Sequence, residues 1–467
     1  MKTRSGKTLD ADGQNILKTN SAKIMAGNGS NKIFYTVFVS LILDLLAFTV
    51  ILPLLPGLLE HYSNNDQTGL FSALKSGVSR FSLFVGAPDT PRWNSVLFGG
   101  LIGSLFSMLQ FLTSPIIGAV SDVYGRRPMM LLSLFGIALS YLLWALSNNF
   151  LMFVIARIVG GISKSNVSLA TAIVTDVSTP QQRGKGMALI GIAFSIGFVF
   201  GPTIGAAFSI LTKDSEASVP SLTPALFSLC LSLIDIVYVY LYLPETLPAS
   251  KRLSAKSLLS HAAQYISPVA LFKFSSVQNL SPSESSKVQK LGRIYFIFLF
   301  VYAGLEFTLP FLMHNRFHYS SMQQGKMFFY IGTVMALVQG GYTRRITPGK
   351  EAKIASHGIV ILIPSFLLMA FATVPWLMYT ALTLFAFASA TVVPCLTTLV
   401  STYGGDHEKG TIMGIFRSLG ALARAIAPIL ASFVYWGFGA HICYTIGGIL
   451  LLLPLLQVIS LVKGKTQ

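Results

Sequence analysis

The sequence predicts an all-α integral membrane protein of about twelve transmembrane helices in two six-helix bundles related by pseudo-symmetry, each span close to the ~20 apolar residues a bilayer requires. Three observations carry this expectation. Of the 467 residues, 53% are hydrophobic and only 11% charged, against roughly 25% charged in a soluble globular chain. The apolar stretches use most of the chain and leave little for a soluble domain. Finally, Lys and Arg recur in every second loop, roughly 23 on one side of the membrane and about 5 on the other, the asymmetry that places basic loops in the cytoplasm. This distribution, rather than one basic face, accounts for the formal charge of +17 and speaks against a nucleic-acid partner. Both termini are expected on the cytoplasmic side of a multi-pass protein, in the plasma membrane or an intracellular one.

Residues 1–31 are polar, contain Asp10 and Asp12, and lack the apolar core of a cleavable signal, so a disordered cytoplasmic tail is expected. The N-terminal bundle, 32–243, takes apolar spans at 33–59, 94–121, 128–147, 150–175, 186–209 and 224–243. A Ser- and Lys-rich cytoplasmic loop, 244–291, follows. The C-terminal bundle, 292–462, takes spans at 292–313, 322–342, 355–373, 376–402, 410–437 and 441–462, before a short cytoplasmic tail at 463–467. The halves carry a trace of repetition: Arg183-Gly184 precedes Met187 and Pro202 at the spacings by which Lys409-Gly410 precedes Met413 and Pro428. Cys230, Cys395 and Cys443 fall in apolar stretches and read as core residues, with no metal site and no cofactor. No nucleotide-binding Gly-rich loop or catalytic constellation is present, so an enzyme is a poor reading.

Between spans two and three the chain reads Gly118-x-x-x-Asp122-x-x-Gly125-Arg126-Arg127-Pro128. Gly118 lets a neighbouring helix approach closely. Asp122 can pair with an Arg or cap an adjacent helix, forming a small surface ion cluster that gates one conformation against another. This segment resembles the signature loop of the major facilitator superfamily, with Val123 standing where the family often has a basic residue. The resemblance implies that superfamily's fold and a gating role for Gly118, Asp122, Gly125, Arg126 and Arg127. Arg157-Ile158-Val159-Gly160-Gly161 and Gly197-x-x-x-Gly201-Pro202-x-x-Gly205 are similar to motifs of the drug and proton antiporter branch, where the Arg is linked to proton transfer and the small residues pack tightly. The second of these carries Ala206 where a further Gly is usual. The runs Leu43 to Gly57, Gly160 to Lys164 and Ser418 to Arg424 resemble a tetracycline-transporter-like group of animal proteins within the superfamily.

Charge inside a bilayer costs roughly 2.5 to 3.5 kcal/mol per residue on insertion scales, so Asp44, Arg157, Lys164, Asp235, Glu306, Arg417 and Arg424 each require a reason. Arg157 and Lys164, like Arg417 and Arg424, are seven apart, almost two helical turns, and share a face at ~10 Å separation. Two basic stripes at the centre favour transport of an amphipathic organic anion, with Lys164 and Arg424 as principal partners and Arg157, Arg417, Tyr302 and Gln339 contributing. Static neutralisation of Asp44 and Glu306 by these cations is the bland alternative. Asp44 lies ~16 Å into its helix. Burial favours a neutral carboxyl and a neighbouring cation favours an ionised one, so alternating proximity to Arg157 or Lys164 makes Asp44 a proton carrier, with Glu306 in a similar place. Asp235 sits on a helix of the outer ring and reads as structural. The competing functional classes are a proton antiporter of organic cations using Asp44 and Glu306, an uncoupled facilitative carrier, and a membrane scaffold. The scaffold has no need of buried charge. A monomer in the lipid bilayer is expected.

Overall fold

A bilayer forces each crossing segment to bond its own backbone, and the fold is correspondingly all helix with helix ends held by side chains from elsewhere. The computed structural model describes residues 11–54, 58, 61–62, 68–86, 91–211, 222–254, 264, 267–319 and 321–463. The helices are α1 (Ala11–Thr49), α2 (Leu70–Val85), α3 (Pro91–Tyr124), α4 (Arg126–Ala145), α5 (Phe150–Ser163), α6 (Asn166–Val177), α7 (Pro180–Leu211) and α8 (Leu222–Tyr242). After the short α9 (Pro268–Lys273) come α10 (Pro282–Phe317), α11 (Ser321–Gly341), α12 (Glu351–Phe371), α13 (Pro375–Val400), α14 (Lys409–Phe438), α15 (Ala440–Leu450) and α16 (Leu452–Lys463). Among the described residues there are eleven candidate crossings, with α5–α6 and α15–α16 each counted as one. The remaining crossing is α11, whose 21 residues suffice for a span of ~32 Å but include Gln323, Gln324, Lys326 and Gln339, which make it less apolar.

Several expectations from the sequence are corrected. Helix α1 begins at Ala11, inside the segment expected as a tail, and ends at Thr49, followed by a single turn at Leu52–Leu54. Residues 1–10, 55–57, 59–60 and 464–467 lie outside the described part. Helix α10 begins at Pro282, ten residues inside the expected loop 244–291, because Ser281 and Glu284 form a capping box and Pro282 occupies the first turn. The span expected at 150–175 is two helices, broken at Lys164. Helix α2 is an element the hydropathy does not predict; its buried Phe71 and Val78, with Leu74 and Phe81 beside them, repeat at helical spacing. Phe71 stacks on Phe98, while Phe84 stacks on Phe433 of α14, so α2 touches both bundles.

Within the N-terminal bundle α7 lies against α1. Thr49 Oγ1 donates to the carbonyl of Gly197 at 2.8 Å, and Gly197, Gly201 and Gly205 face Leu45, Thr49 and Val50 with no room for a Cβ. The glycine-proline motif therefore holds α7 on the helix that carries Asp44. The repeat seen in the sequence is structural as well: α7 and α14 each carry an internal proline, Pro202 and Pro428. Each also packs on the opposite bundle, α7 on α11 and α14 on α3. Arg183 and Lys409, the paired basic residues of the repeat, both donate to the carbonyl of Ser401, at 3.4 and 2.9 Å.

Filling the Gly201 contact tests this packing. Gly201→Leu is expected to destabilise the protein by about 1–3 kcal/mol, the usual cost of overpacking. Gly184→Ala, where a Cβ meets open space, should leave the thermal unfolding midpoint unchanged in detergent by scanning fluorimetry.

Candidate functional site: a latch between the bundles and a charged midplane

A helix N-terminus has unbonded N–H groups and attracts negative charge. At α14 that charge comes from the other bundle. Asp122, at the end of α3, accepts from the backbone N–H of Gly410 at 2.9 Å and of Thr411 at 2.7 Å, and from Thr411 Oγ1 at 2.7 Å. Arg126 Nη1 donates to the same carboxylate at 2.6 Å while its Nε donates to Asp176 at 2.8 Å. The centre of the cluster expected at the surface is in fact buried: Asp122 and Arg126 are both 0% exposed. The approach that makes this reachable is glycine on glycine, Gly118 against Gly410, where neither position admits a Cβ. Gly125, at φ +104°, turns the chain so that Glu245 accepts from the N–H groups of Arg126 and Arg127 at 2.9 and 3.2 Å and caps α4. Arg127 points away from the latch, donating to the carbonyl of Tyr240 at 2.6 Å. Val123 takes no part in this network, which closes on Arg126 instead.

About midway along the bundle the backbone opens at Lys164 (φ −77°, ψ 56°). Its released carbonyls are satisfied by side chains, as hydrocarbon demands: Ser133 donates to Ser163 O at 2.5 Å and Gln110 Nε2 to Lys164 O at 2.9 Å. The break directs the Lys164 ammonium at Asp44, 2.6 Å from each carboxylate oxygen and 4.7 Å from the Phe48 ring centroid. Lys164 and Asp44 are 5% and 2% exposed.

Lys164 is thus engaged by Asp44 in this conformation rather than free for a substrate anion. Arg157, also considered as a partner for Asp44, makes no ion pair within 4 Å among the described residues and lies against the rings of Trp144 and Phe153. Arg417 lies over Phe194. Arg424 Nη2 reaches Gln110 Oε1 at 3.4 Å and faces Glu306 and Tyr295. Gln110 therefore links the Lys164 carbonyl in one bundle to Arg424 in the other. Of the remaining candidates, Tyr302 is stacked on Phe385 at 4.4 Å, and Gln339 accepts from Ser195 across the α7–α11 contact at 3.0 Å. Both hold interfaces here. Asn166 was not singled out from the sequence; its amide is buried with neither polar atom bonded, immediately after the break. The polar run Ser163-Lys164-Ser165-Asn166 inside an apolar span was the signal for it.

The cavity around Phe48, Phe106, Ser140, Tyr141, Arg157 and Lys164 measures only about 10 Å³, the scale of one water, whereas organic ligands occupy ~300–1,000 Å³. In this conformation the bundles leave no room for an organic ligand at these charges. Removing Asp122 takes a carboxylate from a buried guanidinium and two backbone donors, a change of about 3–5 kcal/mol. Measured per folded molecule at the surface, Asp122→Ala is expected to lose at least about tenfold in initial transport rate, while Thr411→Val, which removes a single hydroxyl bond, loses less. Normal turnover by Asp122→Ala would show that the latch does not gate the cycle.

Comparison with known proteins agrees with this architecture. The family model described as Major Facilitator Superfamily matches residues 37–428. The mouse protein called major facilitator superfamily domain-containing protein 10 is 48% identical over 430 residues, 91% of this chain and 92% of that protein. Its human counterpart is 48% identical over 436 residues, 92% and 93% of the two chains. The class B tetracycline resistance protein of Escherichia coli is 24% identical over 409 residues, 87% of this chain and 89% of that one. A crystal structure of the human organic anion transporter MFSD10 (TETRAN) superposes with a TM-score of 0.86 at 46% identity, covering 92% of this chain and 99% of that one. The chain is a member of the major facilitator superfamily of membrane transporters, not of an enzyme family.

Proposed function

We propose that the protein is a secondary active carrier of amphipathic organic anions, driven through alternating access by coupling to protons. The observation that carries this reading is the Asp44–Lys164 pair, with Gln110 joining Lys164 to Arg424 across the bundles. As long as Asp44 is ionised it occupies the Lys164 ammonium. A proton on Asp44 frees that ammonium, and an anion that bridges Lys164 and Arg424 then replaces the lost charge. Each event favours the other by linkage, so proton and anion load together. Glu306 stands toward Arg424 as Asp44 does toward Lys164, without a contact ion pair. Arg157 and Arg417, lying against aromatic rings, suit a substrate with an apolar body beside its charge. The organic-anion description of the 46% identical human structure points the same way.

Orientation follows from charge. Arg126, Arg127, Arg183, Lys185, Arg252, Arg344, Arg345 and Lys409 gather at the Asp122 end, so that end is assigned to the cytoplasm. A single chain supplies both bundles and every residue of the midplane site, and works as a monomer. In this reading no cofactor takes part beyond the proton.

Two measurements on purified protein test the reading. Lys164→Ala and Arg424→Ala should weaken anion binding at least roughly tenfold, as loss of one partner of a buried charged contact does, while Lys164→Arg retains part of it. In the parent, affinity for anions should rise as pH falls. Asp44→Asn leaves Lys164 unclaimed at every pH, so its affinity should match the acid limit and lose its pH dependence, and accumulation driven by a pH gradient in proteoliposomes should collapse while exchange survives. Accumulation of organic cations, with anions bound equally by parent and alanine variants, would transfer the site to the cation reading.

A further inference from the structure

Asp235, expected to be a structural residue of the outer ring, is 0% exposed, and neither of its oxygens makes a hydrogen bond of acceptable geometry. It lies on the seam between α8 and α1, and the register of that seam can be read from one bond. Ser228 donates to the carbonyl of Ala47 at 3.0 Å. In an antiparallel pair, advancing seven residues on α8 and retreating seven on α1, almost two turns on each, keeps the same faces together. That operation brings Asp235 opposite Ser40, the hydroxyl that acts on it across the seam. Ser40 Oγ and Ser232 Oγ are likewise unbonded, at 1% and 2% exposure. Buried polar atoms left without partners call for an explanation such as a water or a mobile proton.

Their depths are ordered. Asp235 lies about seven residues, ~10 Å, from the Tyr242 end of α8. Ser40 is ~15 Å and Asp44 ~21 Å beyond Ser30, which is at the same end of the bundle. Ser40 precedes Asp44 by four residues, so the two share a face of α1. The charged groups that act on Asp235 are Asp44 from α1 and Lys164 from the break between α5 and α6. Of the other helices packed on α8, α4 brings Arg127 only to Tyr240, at the end of α8, and α7 meets it through Phe208 on Phe227.

We propose that Asp235 is a second proton-carrying carboxyl, which passes its proton along Ser40 to Asp44 and so connects the midplane pair to the Asp122 end of the molecule. The step balances: the O–H bond of Asp235 breaks, Ser40 Oγ receives that proton and gives up its own, directly or through one water, to the Asp44 carboxylate. Asp235 becomes the anion, Asp44 becomes neutral, and the Lys164 ammonium exchanges one carboxylate neighbour for a more distant one, with the net charge unchanged. A fresh proton then reloads Asp235 from the cytoplasmic side. The Ser40 hydroxyl, opposite Asp235 across the seam and on the face of α1 that carries Asp44, is placed to turn between the two carboxyls.

This inference rests on the proton coupling proposed above, and the test separates the two. Infrared pH-difference spectra of the parent in lipid nanodiscs read protonated carboxyls without substrate or transport. Asp235→Asn should remove one carboxyl band and shift that of Asp44. Ser40→Ala, which leaves both acids in place, should keep both bands but uncouple their titrations. In proteoliposomes, Asp235→Asn should lower pH-driven accumulation at least about tenfold, in the range of a lost proton-transfer group, with anion affinity unchanged at the acid limit. If the spectra of parent and Asp235→Asn are identical, or if the parent is proton-coupled and both variants keep its pH profile, Asp235 carries no proton and the relay is wrong. A parent that shows both bands but no pH-driven accumulation would instead remove the coupling reading and leave a titrating Asp235 in place.

Discussion

The capping of α14 by Asp122 is the contact that joins the two bundles at this end of the molecule. The N–H groups at the start of α14 are buried, so they require an acceptor, and the acceptor belongs to the opposite bundle. The same carboxylate balances Arg126, which in turn holds Asp176 at the end of α6. Two side chains, Asp122 and Arg126, therefore tie three helices of one bundle to a helix end of the other. The arrangement suits a switch because opening does not unfold anything: once the bundles part, water can bond the freed N–H groups, and Arg126 keeps Asp176. The glycines Gly118 and Gly410 let the two helices approach closely enough for the contact to form.

The midplane follows the same logic with a different ion. Breaking a membrane helix is tolerated where protein supplies the missing bonds, and here Gln110 and Ser133 do so. The break gives Lys164 the freedom to face Asp44, and the Gly197, Gly201 and Gly205 contact fixes α1 so that Asp44 meets it. Because Gln110 also reaches Arg424, one amide bridges the break at Lys164 and the C-terminal bundle. Asp235 extends the chain of buried polar groups from this pair toward the latch end.

Much of this was legible in the sequence, and the remainder failed for physical reasons. The two bundles, the repeat around Pro202 and Pro428, and the pairing capacity of Asp122 could be read from hydropathy, spacing and residue type. The partner of Asp122 could not, since Gly410 and Thr411 are almost three hundred residues away and a backbone N–H leaves no mark in a sequence. The break at Lys164 was hidden because mean apolarity over 150–175 outweighs the short polar run Ser163 to Asn166. The start of α10 at Pro282 was missed although Ser281, Pro282 and Glu284 spell a capping box, because the first turns of that helix are polar. Asp235 was assigned to the outer ring by helix order alone, whereas the rotation of α8 about its axis decides which way a side chain faces.

The most direct test of the latch is a distance distribution across it. Spin labels at Tyr124, on the end of α3, and Tyr342, just beyond α11, occupy exposed positions at the Asp122 end of opposite bundles. Pulsed electron resonance on the parent in nanodiscs should give a dominant short distance, and Asp122→Ala should transfer most of that population to a longer one without broadening a label pair placed within one bundle. Indistinguishable distributions in parent and Asp122→Ala would contradict the account, because closure at that end would then not depend on the Asp122 cap.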